Sequence, residues 1–196
     1  MTMNRFKRLL FSLLSLMLVL HPKGPSKRAQ MFGKFHVYGS VGGGGKIQGW
    51  KVPLYSHLIF VHDNVIMAPS IKFVAHDGVH YLLNRKYQTN EFVEKVGCIE
   101  IMDNVFISAN VTILYNTRIG SNVIIGANTL VNRDLPGNAV YAGTPARRIC
   151  SFDEYVEKHR RYSEEFRSKF GIAQVHGVDK VLAGKLREDF IKQRAV

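Results

Sequence analysis

Between Ile101 and Val131 the aliphatic positions keep a fixed beat. Ile101, Ile107, Ile113, Ile119, Ile125 and Val131 fall every six residues, and so do Asn104, Asn110, Asn116, Asn122 and Asn128. A half-buried strand alternates with period two and a helix with period 3.6. A period of six fits neither alone. It fits a short strand and a tight turn, repeated, so that one side chain per repeat points inward and neighbouring coils pair as a parallel sheet. Asparagine tolerates the left-handed backbone better than other residues with a side chain. The asparagine column therefore predicts corners and the aliphatic column predicts the core. The expected shape is a solenoid with three corners per coil and about 18 residues in each.

The beat extends upstream through Val41, Ile47, Ile59, Val65 and Ile71, with an interruption at Pro53. A partner series runs through Val37, Tyr55, Val61, Met67 and Phe73. The pattern stops near Gly78 and resumes, shifted in phase, at Cys98-Ile-Glu-Ile101. Residues 79–97 lie between, polar and unrepetitive, and read as a long inserted loop of the kind that carries function. Asn132 to Gly137 breaks the register, and Val140 to Ile149 reads as a last extended piece. From Ser151 the spacing turns helical (Phe152, Tyr155, Val156, His159, Tyr162, Phe166, Phe170), and a second helix is expected over Asp179 to Lys192. A short helix is expected from Ser26 to Phe35, with Ser26 as its cap. The chain thus divides into a basic, apolar helical segment 1–36, an all-β solenoid 37–150 with the loop 79–97 inserted, and C-terminal α-helices in 151–196.

A chain of 196 residues accommodates one domain with a sizeable core. Its two cysteines, Cys98 and Cys150, make no disulfide framework and favour a reducing, cytoplasmic compartment. The net charge of +12 is uneven: nine lysines and arginines precede the first carboxylate, Asp63. A basic end suits nucleic acid, anionic lipid or a phosphate-rich ligand, or is a plain solvated surface. No aromatic-basic recognition pattern accompanies the charge, so nucleic acid is the weakest of these. Leu9 to Leu20 is apolar apart from Ser12 and Ser15, and is short of the about 20 residues a membrane span needs. It follows Arg5, Lys7 and Arg8 as a signal peptide would, but no small-x-small cleavage site follows it. It reads either as a helix docked on the domain or as one lying in a membrane surface through residues 1–24, peripheral on the inner face.

His76 stands where other repeats place asparagine, at a corner, beside the long loop. Histidine is the side chain suited to proton transfer near neutral pH. Taken alone it also fits a solvated turn residue. His80 either orients a ligand or begins the loop. Asp77, next to His76 in an extended chain, points to the opposite face. Trp50 either stacks on a sugar ring or caps an irregular early coil. His57, His62 and His76 raise zinc as a rival reading, which requires the three to converge.

The stretches Asp63-Asn-Val-Ile-Met-Ala-Pro69, His76-Asp-Gly-Val-His80, Ile101-Met-Asp-Asn-Val-Phe-Ile107, Ile124-Ile-Gly-Ala-Asn-Thr-Leu-Val131 and Tyr141-Ala-Gly-Thr-Pro-Ala-Arg-Arg-Ile149 resemble the hexapeptide-repeat acyltransferases. The likeness spans roughly Lys27 to Ile149 and is greatest to the galactoside, maltose and capsular-sugar O-acetyltransferases. It implies a left-handed parallel β-helix, a hand that the repeat alone does not determine and that departs from the usual right-handed crossover. It also implies acetyl-CoA as co-substrate with no metal, a carbohydrate acceptor, and a homotrimer with sites between subunits. By the same resemblance His76 is the catalytic histidine. Ala109, Ala127, Asn132, Arg133 and Arg147 become the acetyl-CoA contacts, with Asn132-Arg133 standing where family members usually have Thr-Lys. Arg148 is an additional cation with no assigned role. An amino sugar as N-acetyl acceptor and a non-enzymatic membrane-surface scaffold are the competing functions.

Overall fold

A computed structural model describes residues 5–18, 21, 23–49, 51–171 and 177–194. Trp50 and the last two residues of the apolar run, Val19 and Leu20, lie outside the described residues. The chain forms two compact units, 1–152 and 153–196.

The first unit begins with α1 (Arg5–Met17) and α2 (Gly24–Lys34). Helix α2 starts two residues before the expected serine cap, with Lys23 at the N-cap and no side-chain capping bond. Pro25 in its first turn explains the earlier start, because proline's fixed φ suits that position and its missing N–H costs nothing there. The coil then starts with β1 (Ser40–Val41) and β2 (Lys46–Ile47), followed by β3 (Ile59–Val61), β4 (Ile66–Met67) and β5 (Lys72–Val74). An arm follows: β6 (His76–Asp77), α3 (Val79–Tyr87) and β7 (Lys95–Val96). Two further coils are β8 (Ile99–Ile101), β9 (Val105–Ile107), β10 (Thr112–Leu114), then β11 (Thr117–Ile119), β12 (Val123–Ile125), β13 (Leu130–Val131). The last turn carries β14 (Ala139–Ala142) and β15 (Arg147–Ser151).

The strands stack into three faces. The first is β1-β3-β8-β11, the second β2-β4-β9-β12-β14-β15, the third β5-β10-β13. All pairings within the faces are parallel except β14 with β15. Ile101, Ile107, Ile113, Ile119, Ile125 and Val131 are fully buried, so the aliphatic column is the core. A second inward residue stands two positions before each of these: Ile99, Val105, Val111, Thr117, Val123 and Thr129, all buried. This follows from strand alternation. The two threonines satisfy their hydroxyls locally, Thr117 on the Tyr115 carbonyl and Thr129 on the Gly126 carbonyl at 2.7 Å.

The asparagine column marks the corners. Asn64, Asn104, Asn110, Asn116, Asn122, Asn128 and Asn138 all have φ between 54° and 60°. One corner adds a ladder of side-chain amides: Asn64 donates to Asn104 at 2.9 Å, Asn104 to Asn122 at 3.2 Å and Asn122 to Asn138 at 2.8 Å. Each rung satisfies an amide that would otherwise need water. The register break at Asn132 to Gly137 is a shortening of the coil. Leu135 remains buried and bridges to Ile119, and Asn122 reaches Asn138 across 16 residues where Asn104 reaches Asn122 across 18.

The start of the coil is covered by a helix, and one face is closed by an added strand at its finish. At the start, α2 buries Ala29 and Phe32, with the Phe32 ring edge-on to Tyr38 at 5.2 Å. At the finish the expected single extended piece is a hairpin. Its second strand, β15, runs antiparallel along the open edge of β14, which protects that edge from pairing with another chain. Arg28 ties the entrance together from a buried position. Its guanidinium donates to the Ser15 carbonyl at 2.8 Å, the Ser15 hydroxyl at 2.5 Å and the Ile47 carbonyl at 2.6 Å.

Residues 79–97 are not a loop. They hold helix α3, and β7 returns antiparallel on β6. The insertion explains the phase shift, since Asn64 bonds Asn104 across 40 residues. Re-entry passes through Gly97, whose N–H donates to the Ala75 carbonyl at 3.0 Å. A Cβ at Gly97 would stand 2.0 Å from Asn116 Oδ1 and 3.0 Å from its backbone nitrogen. Gly97→Ala is therefore expected to cost about 1–3 kcal/mol, as overpacking does, read as a lower urea midpoint.

The second unit contains α4, which runs Phe152–Phe170, and α5 (Lys180–Lys192). Helix α4 carries Asp153 and Glu154 in its first turn and Arg167 and Lys169 in its last, as the helix dipole favours. Asp179 caps α5, accepting from the Leu182 N–H at 2.7 Å. Lys169 pairs with Asp189 and links the two helices.

Candidate active site

His76 lies on the corner between the third and first faces. Val74 pairs with Leu114, which sets His76 over Asn116 in the following coil. Asn116 turns left-handed there with φ of 55°, whereas His76 has no positive φ. The chain runs straight out as β6 and pairs His76 with Val96. The corner expected at His76 is therefore an exit. The chain leaves the coil there because the arm begins at that residue.

The half-buried imidazole meets residues from two other segments. Tyr55 presents its ring edge-on, with centroids 5.1 Å apart and planes at 90°. Glu94, from the end of the arm, places Oε1 4.0 Å from His76 Nε2. The Tyr55 hydroxyl donates to the other oxygen of Glu94 at 2.9 Å. The 4.0 Å gap exceeds hydrogen-bond reach. Glu94 therefore faces Nε2 without a direct hydrogen bond. His76 Nδ1 is buried without a hydrogen-bond partner among the described residues.

Tyr55 itself sits at φ 53°, an uncommon backbone for a bulky residue. The hydrogen bond to Glu94 pushes its phenol pKa up. The sign is that of a raised group: the bond stabilises the fold below the ordinary phenol range and is lost as the pH rises through the raised value. Asp77 behaves oppositely. The Tyr115 hydroxyl donates to it at 2.8 Å, and this bond, with a second from the Val79 N–H, holds its carboxyl below the usual range. That contribution is present above the unfolded carboxylate value and disappears as the pH falls through the lowered one. Asp77 pins the base of the arm to the third coil and turns away from the His76 ring, as the extended backbone requires.

The other sequence candidates separate. Ala109 and Ala127 stack on the corner between the second and third faces, where the Asn128 N–H donates to the Ala109 carbonyl at 3.1 Å. Asn132 and Arg133 are exposed after β13, on the same corner line as His76, and Arg147 is exposed at the start of β15. One chain therefore puts His76 and the alanine pair on opposite edges of the third face. His62 faces Glu100 at 3.1 Å, and His57 packs edge-on to Tyr55 at 6.1 Å. Among the described residues no group of histidines, cysteines or carboxylates converges as a metal site. His80 lies against Tyr81, with ring centroids 4.0 Å apart. A groove lined by Tyr38, Met67, Ile71 and Phe73 opens near the start of the coil and does not include His76.

Tyr55, Glu94 and Tyr115 were not anticipated from sequence. Tyr55 occupies the aliphatic series, and its only signal is that it breaks that series just after Pro53. Glu94 lies in a segment without a beat. Because the bond to Glu94 raises the Tyr55 phenol pKa, Glu94→Gln is expected to bring that phenol back toward its ordinary range, read by ultraviolet pH titration.

Three faces of paired short strands and asparagine corners at six-residue spacing make a solenoid built on a six-residue repeat. Residues 99–133 match the family model described as bacterial transferase hexapeptide (six repeats), and the chain carries that repeat. It is 38% identical over 102 residues to protein CapG of Staphylococcus aureus, covering 52% of this chain. The chain spans 58% of the length of that relative. Among solved structures, a hexapeptide-repeat acetyltransferase of Vibrio cholerae in complex with acetyl coenzyme A superimposes with a TM-score of 0.53 at 21% identity, over 74% of this chain and 86% of that one. A maltose O-acetyltransferase of Clostridium difficile 630 gives 0.53 at 23%, over 74% and 85%. A galactoside acetyltransferase in complex with coenzyme A gives 0.50 at 24%, over 78% and 84%. At these identities the likeness is one of fold.

Proposed function

We propose that this chain is an acetyl-CoA-dependent O-acetyltransferase, acting on a hydroxyl of a carbohydrate with His76 as general base. The observation that carries the reading is the partly exposed His76 imidazole held beside Glu94 and Tyr55 where the arm leaves the coil. Acetyl transfer needs a base for the hydroxyl proton, donors for the tetrahedral oxyanion, and alignment of the two substrates. In the proposed step His76 Nε2 takes the hydroxyl proton as the oxygen attacks the thioester carbonyl. Collapse of the tetrahedral intermediate breaks the carbon–sulfur bond. The proton held by His76 then goes to the leaving thiolate, and Glu94 steadies the imidazolium in between.

The solved acetyltransferases support the reaction class and, with the hexapeptide match, the left hand of the coil. The donor would lie along the later coils, against Ala109 and Ala127, with Asn132, Arg133 and Arg147 toward its polar end. Arginine suits phosphate by its charge and its planar fork. The separation of the alanine corner from His76 within one chain favours a homotrimer, in which the His76 corner of one copy faces the alanine corner of the next. The arm, residues 79–97, would shape the acceptor side.

The test is thiol release from acetyl-CoA across a panel of sugars and amino sugars. Release that depends on a hydroxyl acceptor supports the reading. Release only with amino sugars would replace it with N-acetylation, and no release with any acceptor, together with no CoA binding, would reject it.

A further inference from the structure

Helix α1 is amphipathic in the wrong sense for a helix that only docks on its own domain. The side chains it turns toward the coil are largely polar. Ser15 is fully buried and accepts from Arg28, and Ser12 accepts from the Val52 N–H at 3.2 Å. Phe11 is the apolar contact on that side, against the Phe35 ring at 5.4 Å. The opposite side is apolar and bare: Phe6 is 73% exposed, Leu9 59%, Leu13 52%, Leu16 44% and Met17 77%. A surface helix normally buries its apolar stripe and shows its polar one to water. Here the serine bonds hold the helix with the leucines outward. A contiguous exposed apolar face of this kind marks an interaction surface.

Charge indicates what covers it. No Asp or Glu occurs before Asp63, so nothing acidic borders the apolar face along the chain. Lys7 lies in the first turn of the helix, next to Phe6, and Lys23 and Lys27 follow the face, all exposed. A helix of 13 residues is too short to cross a bilayer, which needs about 20. No helix among the described residues is long and apolar enough to cross. Leucine-rich faces flanked by lysines partition into the interface of anionic bilayers, where the apolar side enters the acyl boundary and the cations meet the headgroups.

We infer that α1 docks this protein on an anionic lipid bilayer through the outward face formed by Phe6, Leu9, Leu13, Leu16 and Met17. The buried Ser15–Arg28–Ile47 connection makes α1 a rigid part of the coil's entrance, so docking would seat the solenoid itself at the membrane surface.

The experiment is flotation of the full chain with vesicles of phosphatidylcholine alone or mixed with phosphatidylglycerol. It is run beside the variant Leu13→Glu/Leu16→Glu, which changes only outward side chains, with circular dichroism and thermal melting to show that the variant stays folded. The inference expects the wild type to float with the mixed vesicles, at least tenfold less with phosphatidylcholine alone or at high salt, and the folded double variant to stay below. It is overturned if the wild type ignores both vesicles, or if the folded variant floats as well as the wild type. It is also overturned if the substitution splits an oligomer in sedimentation velocity while the wild type binds no lipid, which would give the face to a second copy of the chain.

Discussion

Replacing His76 with alanine is expected to lower the rate of acetyl transfer by about 10²–10⁴-fold, the contribution of a positioned general base, and to leave CoA binding within a factor of about two. The asymmetry follows from geometry. His76 lies where the chain leaves the coil, partly exposed, and stands outside the buried core cluster. Its removal takes away the proposed proton acceptor without removing a member of the core. The alanine corner and the two arginines proposed for the donor lie elsewhere on the coil and keep their places. The loss should therefore fall on kcat, as for an interaction made only in the transition state. Isothermal titration with CoA, beside initial rates at saturating acetyl-CoA, separates the two. Equal activity in the variant would remove His76 from the mechanism.

Ile107→Ala is expected to destabilise the coil by about 2–5 kcal/mol, the range for deleting most of a buried aliphatic side chain. Ile107 is fully buried in the second face, between Met67 in the coil before and Ile125 in the coil after, both of which it pairs with in register. Each layer of a solenoid rests on its neighbours alone, so the cavity cannot be filled from a distant part of the core. Against a typical total of about 5–15 kcal/mol, such a loss would bring unfolding within reach of mild urea. Phe106→Ala on the same strand serves as control. Its side chain points outward and is 41% exposed, so the expected loss is below about 1 kcal/mol. Urea titration followed by circular dichroism would register both.

The six-residue beat made the coil legible because its two columns do different physical jobs. An inward site in a narrow prism accepts only an aliphatic side chain or a small self-satisfied one such as Thr117. A left-handed corner selects asparagine. Those constraints are local and recur, so they are written repeatedly in the chain. His76 was legible for a related reason, since it stands in the asparagine column and breaks it. The arm was not. Helix α3 has no fully buried residue, so no core column imposes a period on it. Glu94 and Tyr55 meet only because the arm returns antiparallel on His76 and Asp77, a contact between segments with no shared pattern. The inverted face of α1 was half legible. Its apolar run and basic flank are plain in sequence, but which side turns outward is decided by bonds from Ser12 and Ser15 to partners far along the chain.

The most direct test is a crystal structure with CoA bound. The account predicts the pantetheine arm running between two copies, along Ala109 and Ala127 of one, with its sulfur about 3–4 Å from Nε2 of His76 on the other, the reach of a reacting pair. CoA seated anywhere that leaves its sulfur out of reach of every His76 would contradict it.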